Sequence, residues 1–192
     1  EREVTEMRTI VDARVAERLT KLAQPSTGRP VEQAIQARFR AGGRALVPFF
    51  TAGFPNDARF VDALRQAAVA DCDVLEVGVP FSDPIADGPV IQNAGQRCLE
   101  RGMTVRRALD LIDRAAISVP VVLMSYVNPL LSYGCDRLLR DARAVGVRGL
   151  IVPDLPLQGQ ILSLKGLPIA AESAPLDAAD PIWSNGLERI LL

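Results

Sequence analysis

Apolar positions along this chain follow two different periods. Residues 1 to 22 place Val4, Met7, Val11, Val15, Leu19 and Leu22 at helical spacing with Glu and Arg between them. That pattern predicts an amphipathic helix in need of a surface to cover. "AQPSTGRP" (23–30) reads as a linker, because two prolines and several small residues interrupt any periodic face. "VEQAIQARFRAGG" then predicts a second, short helix stopped by Gly42 and Gly43.

From Arg44 onward, short unbroken Val/Ile/Leu runs alternate with helical patterns. Strands are predicted over 45–53 ("ALVPFFTAG"), 73–80 ("DVLEVGVP"), 119–127 ("VPVVLMSYV") and 149–156 ("GLIVPDLP"). Helices are predicted over 56–71, capped by Asn56, and over 89–102, entered through Pro89. Two more follow over 104–117, capped by Thr104, and over 135–146, stopped by Gly146. Continuous apolar runs separated by helices imply parallel strands covered on both faces. The fold class is therefore α/β, either an open doubly wound sheet or a (β/α) TIM-type barrel. No strand is followed by a G-x-G-x-x-G or G-x-x-x-x-G-K-[ST] pattern, which favours the barrel.

Beyond Leu157 the signal weakens. "QGQILSLKG" is barely long enough for two helical turns, "LPIAAESAP" is a candidate fifth strand and "LERILL" a candidate sixth. A complete barrel takes about 250 residues and about 150 follow the first strand, so roughly six of eight βα units are expected. The domain expectation is an N-terminal helix and linker over 1–30, then an incomplete barrel over 31–192 that becomes atypical after about residue 157.

Composition narrows the chemistry. The 192 residues carry a formal net charge of −1 and only 5% aromatic residues, so neither an electrostatic nor a stacking argument favours nucleic acid. No apolar stretch approaches the roughly 20 residues that span a bilayer. There is no histidine, which excludes His-dependent triads and makes a metal site unexpected. Cys72, Cys98 and Cys135 lack metal-ligand spacing and read as reduced thiols of a cytoplasmic protein. The chain begins at Glu1 rather than Met, so the expected start lies upstream or has been removed.

In parallel α/β architectures the working residues project from the C-terminal ends of strands. Those ends here are Thr51, Glu76, Tyr126 and Asp154, each a polar group finishing an apolar run. Strand alternation puts Val74, Glu76 and Gly78 on one face and Leu75, Val77 and Val79 on the other. In a barrel the first set faces the interior, with Gly78 leaving space beside the carboxylate. A buried carboxylate is costly, and no cation neighbours Glu76 in sequence. Burial raises such a pKa towards the range of a general acid and base. An ion pair with a distant Arg is the structural alternative. Asp83 and Asp87 lie in a Pro-rich loop, where Asp83 fits a turn starter and Asp87 fits either a helix cap or a functional acid. Of Phe49 and Phe50, one is expected inside the barrel and the other against the helices.

The phrases "LVPFFTAGFPN", "LEVGVPFSDPIADGPVIQ", "LMSYVNP" and "GLIVPDLP" resemble the signature blocks of the tryptophan synthase α-chain family, in that family's order. The resemblance is clear from about residue 31 to 157. It implies a (β/α)₈ barrel that cleaves indole-3-glycerol phosphate to indole and glyceraldehyde 3-phosphate, without a cofactor of its own. It also implies a β-chain partner that holds pyridoxal phosphate. By that resemblance Glu76 is the catalytic acid and base, and Asp87 the loop acid that engages the indole N–H. Phe49, Thr51 and Tyr126 fall at substrate-binding positions, and Asp83, Pro84 and Asn128 at positions facing the β chain. Family members continue to glycine-rich phosphate loops near the seventh and eighth strands, and the last 35 residues here depart from that pattern. The expectation is a chain with the catalytic carboxylates and poor or no activity alone. The alternative is a non-catalytic module that binds or modulates a β chain.

Overall fold

A computed structural model describes residues 30–154 and the backbone of 188–190. The helix expected over 1–22, most of the linker and the segments "QGQILSLKG" and "LPIAAESAP" lie outside the described residues. In chain order the elements are α1 (Pro30–Arg40), β1 (Phe49–Thr51), α2 (Asp57–Val69), β2 (Leu75–Gly78), α3 (Pro89–Glu100) and α4 (Val105–Ala115). They continue with β3 (Val121–Met124), α5 (Val127–Tyr133), α6 (Cys135–Ala144), β4 (Val147–Ile151) and β5 (Glu188–Ile190).

All described strands pair in parallel, and their spatial order is their sequence order, β1-β2-β3-β4-β5. A doubly wound sheet reverses direction at a switch point, and no reversal occurs here; stepwise order is the wall of a (β/α) barrel. "LERILL", expected as a sixth strand, contributes Glu188–Ile190 directly beside β4. It is thus the fifth strand among the described residues.

Each helix start follows its local chemistry. Asn56 Oδ1 accepts from Arg59 N at 3.0 Å and Thr104 Oγ1 from Arg107 N at 3.2 Å, which satisfies first-turn donors of α2 and α4. Pro89 opens α3, where a missing N–H costs nothing. α5 has no counterpart in the hydrophobic pattern, because Asn128-Pro129 spells a turn. The structure puts Pro129 in the first turn of a seven-residue helix, where its ring is tolerated.

The two faces of the sheet separate as strand alternation requires. Leu75, Val77, Val121 and Leu123 pack with Phe60, Leu64, Leu111 and Ile112 of α2 and α4 in the main core. Burial of each such side chain contributes about 1.5–3 kcal/mol. The opposite, inner face carries Val74, Val122 and Ile151, and α1 lays Val31, Ala34 and Ile35 onto it. Arg38 ties α1 to the start of β2 through a 2.7 Å ion pair with Asp73, whose other oxygen accepts from Leu46 N at 2.7 Å. Among the described residues, no helix is long and apolar enough to cross a membrane.

The strands are shorter than the apolar runs that announce them. β1 is cut back to three residues because Pro48 has no N–H for the ladder, although Glu76 N still reaches Pro48 O at 3.0 Å. β4 begins at Val147 rather than 149, immediately after Gly146 turns the chain at a φ of 93°. An irregular step between Val121 and Val122 lets β4 gain a residue, so that Val122 pairs with Gly149.

Candidate active site

The C-terminal ends of β1, β2 and β3 open into a shallow cleft. Its walls come from Phe49 and Thr51 of β1, Gly78 of β2, Met124 of β3, Tyr126 and the loop acid Asp87. Register explains the convergence: Phe49 pairs with Glu76, Thr51 with Gly78, and Gly78 with Met124. Glu76 therefore points to the inner face, two residues and roughly 7 Å below Gly78 along the strand. Phe50 packs against the helix-side core, so the two phenylalanines divide between the faces as expected.

Gly78 does not leave an open space beside the Glu76 carboxylate, contrary to the expectation from sequence. Phe49 fills that volume; a Cβ on Gly78 would lie 2.5 Å from Phe49 Cζ. Gly78→Ala is therefore expected to push the ring into the cleft and to destabilise by about 1–3 kcal/mol, the usual range for overpacking. Thermal unfolding measures this, and adding Phe49→Leu should restore most of the loss.

Glu76 is half-buried, and burial pushes its carboxyl above the usual glutamate range. Among the described residues no arginine or hydrogen bond offsets that push, so the distant-ion-pair alternative has no support there. Asp87 is also half-buried and raised by burial, but a hydrogen bond from the Tyr126 hydroxyl draws it back. Asp87 does not cap α3, since the cap position belongs to Gly88 and no side chain bonds there. The loop itself is folded on short backbone contacts, Ile85 N to Asp83 O at 3.0 Å and Asp87 N to Pro84 O at 3.2 Å.

Asp83 and Asn128 are exposed at the rim, whereas Pro84 is half-buried and lines the cleft. Asp154, noted as a polar strand end, serves the backbone instead, since its Oδ1 accepts from Val127 N at 2.9 Å and fixes the start of α5. Gln92 escaped the sequence reading. Its side-chain amide donates to Asp87 O at 2.9 Å and Pro84 O at 3.3 Å, holding the loop from α3. The only signal was its place four residues after Gly88, on the helix turn that faces the loop.

A brace outside the cleft steadies the loop after β1. Arg107 pairs with Asp57 at 2.8 Å and donates to Arg101 O, while Arg101 donates to Gly53 O at 3.1 Å. Gly53 has a φ of 75°, a backbone conformation that residues with a Cβ rarely adopt, so the turn that presents Thr51 favours glycine.

Comparison with known proteins agrees with this geometry. A family model described as "Tryptophan synthase alpha chain" matches residues 35–165. The tryptophan synthase alpha chain of Nitratidesulfovibrio vulgaris (strain DP4) is 44% identical over 152 residues, covering 76% of this chain and 59% of that protein. That of Carboxydothermus hydrogenoformans is 40% identical over 164 residues, covering 84% and 61%. The crystal structure of the subunit alpha from Legionella pneumophila str. Paris superimposes with a TM-score of 0.69 at 30% identity, covering 84% of this chain and 57% of that one. The α2β2 complex from Pyrococcus furiosus gives 0.61 at 33% identity, covering 76% and 53%. The chain thus spans between half and about three fifths of the length of the curated relatives it matches. The stepwise parallel sheet is part of a TIM-type barrel, as in these structures. Because the family match runs through every strand end that builds the cleft, from Phe49 to Tyr126, the chain belongs to the tryptophan synthase alpha chain family.

Proposed function

We propose that the chain is a lyase of the tryptophan synthase α type, converting indole-3-glycerol phosphate to indole and glyceraldehyde 3-phosphate. The observation that carries this reading is the pair of acids at one end of the sheet: Asp87 lines a cleft walled by aromatic rings, and Glu76 lies below its floor on the inner face of β2, two residues before the lining Gly78. Breaking the carbon–carbon bond requires a proton on the indole ring carbon and loss of a proton from the neighbouring glycerol hydroxyl. Glu76 supplies the first and takes up the second, so the carboxyl ends as it began. Asp87 accepts the indole N–H and stabilises the positive charge that ring protonation creates. Phe49, Thr51 and Tyr126 shape the indole side of the cleft. Proton transfers alone balance the reaction, so the proposal needs neither a metal nor an organic cofactor in this chain.

The environments of the two acids suit these roles. Glutamate titrates above aspartate to begin with, burial raises both, and only Asp87 has a hydrogen bond that favours its charged form. The proposed roles require a pH interval in which Asp87 is ionised while Glu76 keeps its proton. The expected kcat/KM profile is a bell, rising as Asp87 ionises and falling as Glu76 deprotonates. A pH series on purified protein checks it.

The same reading makes a tryptophan synthase β chain, carrying pyridoxal phosphate, the partner. Asp83, Pro84 and Asn128 are proposed to meet it, and Ile85 and Val90 beside them are 76% and 78% exposed, large apolar groups left in water. A biosynthetic complex of this kind places the chain in the cytoplasm. The test is indole release from indole-3-glycerol phosphate, with and without an added β chain. Release that depends on the Glu76 carboxyl supports the lyase. Firm association with a β chain and no Glu76-dependent release would overturn it in favour of a non-catalytic module.

A further inference from the structure

The hydroxyl of Tyr126 is already committed within the protein. It accepts from Ala86 N at 2.9 Å, and it lies close enough to the neighbouring Asp87 carboxylate to favour its charged form. A phenol has one proton to donate, which stays available to the carboxylate while an oxygen lone pair takes the amide. The ring is 2% exposed and lies against Phe81 at 5.2 Å between centroids, tilted by 32°. Its next residue is pinned by Asp154 through Val127 N. Tyr126 is therefore fixed to β3 and α5 from behind, and the loop after β2 is fixed to Tyr126. We infer that Tyr126 is a positioning residue, whose hydroxyl holds the Ala86 backbone, and with it the adjoining Asp87, in its working place rather than bonding the substrate. What Asp87 does there rests on the lyase reading; the hydrogen bonds do not.

The charged and titratable groups around Asp87 are few. Tyr126 lies beside it, Asp154 lies behind Tyr126, Glu76 stands on the neighbouring inner face of β2, and Asp83 shares the loop. No arginine among the described residues shifts Asp87. Loss of the Tyr126 hydroxyl consequently removes the only described group that favours the charged form.

Tyr126→Phe keeps the ring, its packing on Phe81 and the wall of the cleft. The expected result is a fall in kcat of about 10- to 100-fold, the size of a lost hydrogen bond to a charged group, with KM nearly unchanged. The acid limb of kcat/KM should move to higher pH, because the ionised form of Asp87 loses its donor. In an Asp87→Asn background the same change should cost clearly less than in the unaltered chain, since the residue acts largely through that acid. Two readouts need no turnover: the Asp87 carboxyl titration by carbon-13 NMR should move up in Tyr126→Phe, and amide exchange at Ala86 should accelerate. A raised KM with an unmoved pH profile, or losses that multiply in the double variant, would overturn the inference. Were the unaltered chain to release no indole, the lyase reading would fall, and the titration and exchange measurements would still decide the role of Tyr126.

Discussion

Glu76→Gln is expected to lower indole release from indole-3-glycerol phosphate by about 10³-fold or more, towards the uncatalysed rate. The amide matches the carboxyl in shape but can neither give a proton to the ring carbon nor remove one from the glycerol hydroxyl. Both halves of the proposed proton exchange therefore fail together. Stability should move the other way. Burial raises the Glu76 carboxyl, so the folded chain holds its proton more firmly than the unfolded chain does. Above the ordinary glutamate value, ionisation favours the unfolded state, and the native structure loses stability as pH rises through that interval. An uncharged glutamine escapes this penalty. The variant should melt higher than the unaltered protein at neutral pH and equally below about pH 4, where both side chains are neutral. Calorimetry at the two pH values separates this from damage to the fold: a variant that melts lower at pH 7 would mean that Glu76 is held by a favourable partner. Activity retained within tenfold would remove Glu76 from the chemistry.

Both of these expectations start from features readable in sequence, and the reason is physical. Period-two alternation across "DVLEVGVP" fixes which face each side chain takes, so the inward Glu76 and outward Leu75 and Val77 follow from the strand alone. The stepwise parallel order likewise follows from apolar runs alternating with helices. What the sequence withholds is contact across distance. Nothing in the spelling says that Phe49 swings over Gly78, because that depends on the register of β1 against β2. Nothing says that Tyr126 and Gln92 reach the acidic loop from opposite sides, one across 40 positions and the other from the next helix. α5 is hidden for a different reason: a proline penalised inside a helix is harmless in its first turn, and local spacing cannot tell which turn it occupies. Asp154 shows the converse. Its place at a strand end signals function, yet its carboxylate serves the backbone of α5.

Asp87→Asn is the other substitution with a large expected effect, a fall in kcat of about 10²- to 10³-fold, comparable to removing one preorganised group that faces developing charge. The amide oxygen can still accept the indole N–H and can still bond the Tyr126 hydroxyl, so substrate binding and the loop should survive. Only the negative charge is gone, and that charge matters most after the ring is protonated. KM should accordingly change little while kcat falls, the signature of an interaction made chiefly in the transition state. The acid limb of the pH profile should also disappear, leaving only the fall attributed to Glu76. Such a split distinguishes a charge that stabilises the cation from a hydrogen bond that merely orients the ring. If instead KM rose and kcat held, Asp87 would be a binding group, and charge stabilisation would pass to Glu76 itself. That outcome would conflict with the hydrogen bonding at the site, where the donor that favours a charged carboxylate is supplied to Asp87 and, among the described residues, not to Glu76.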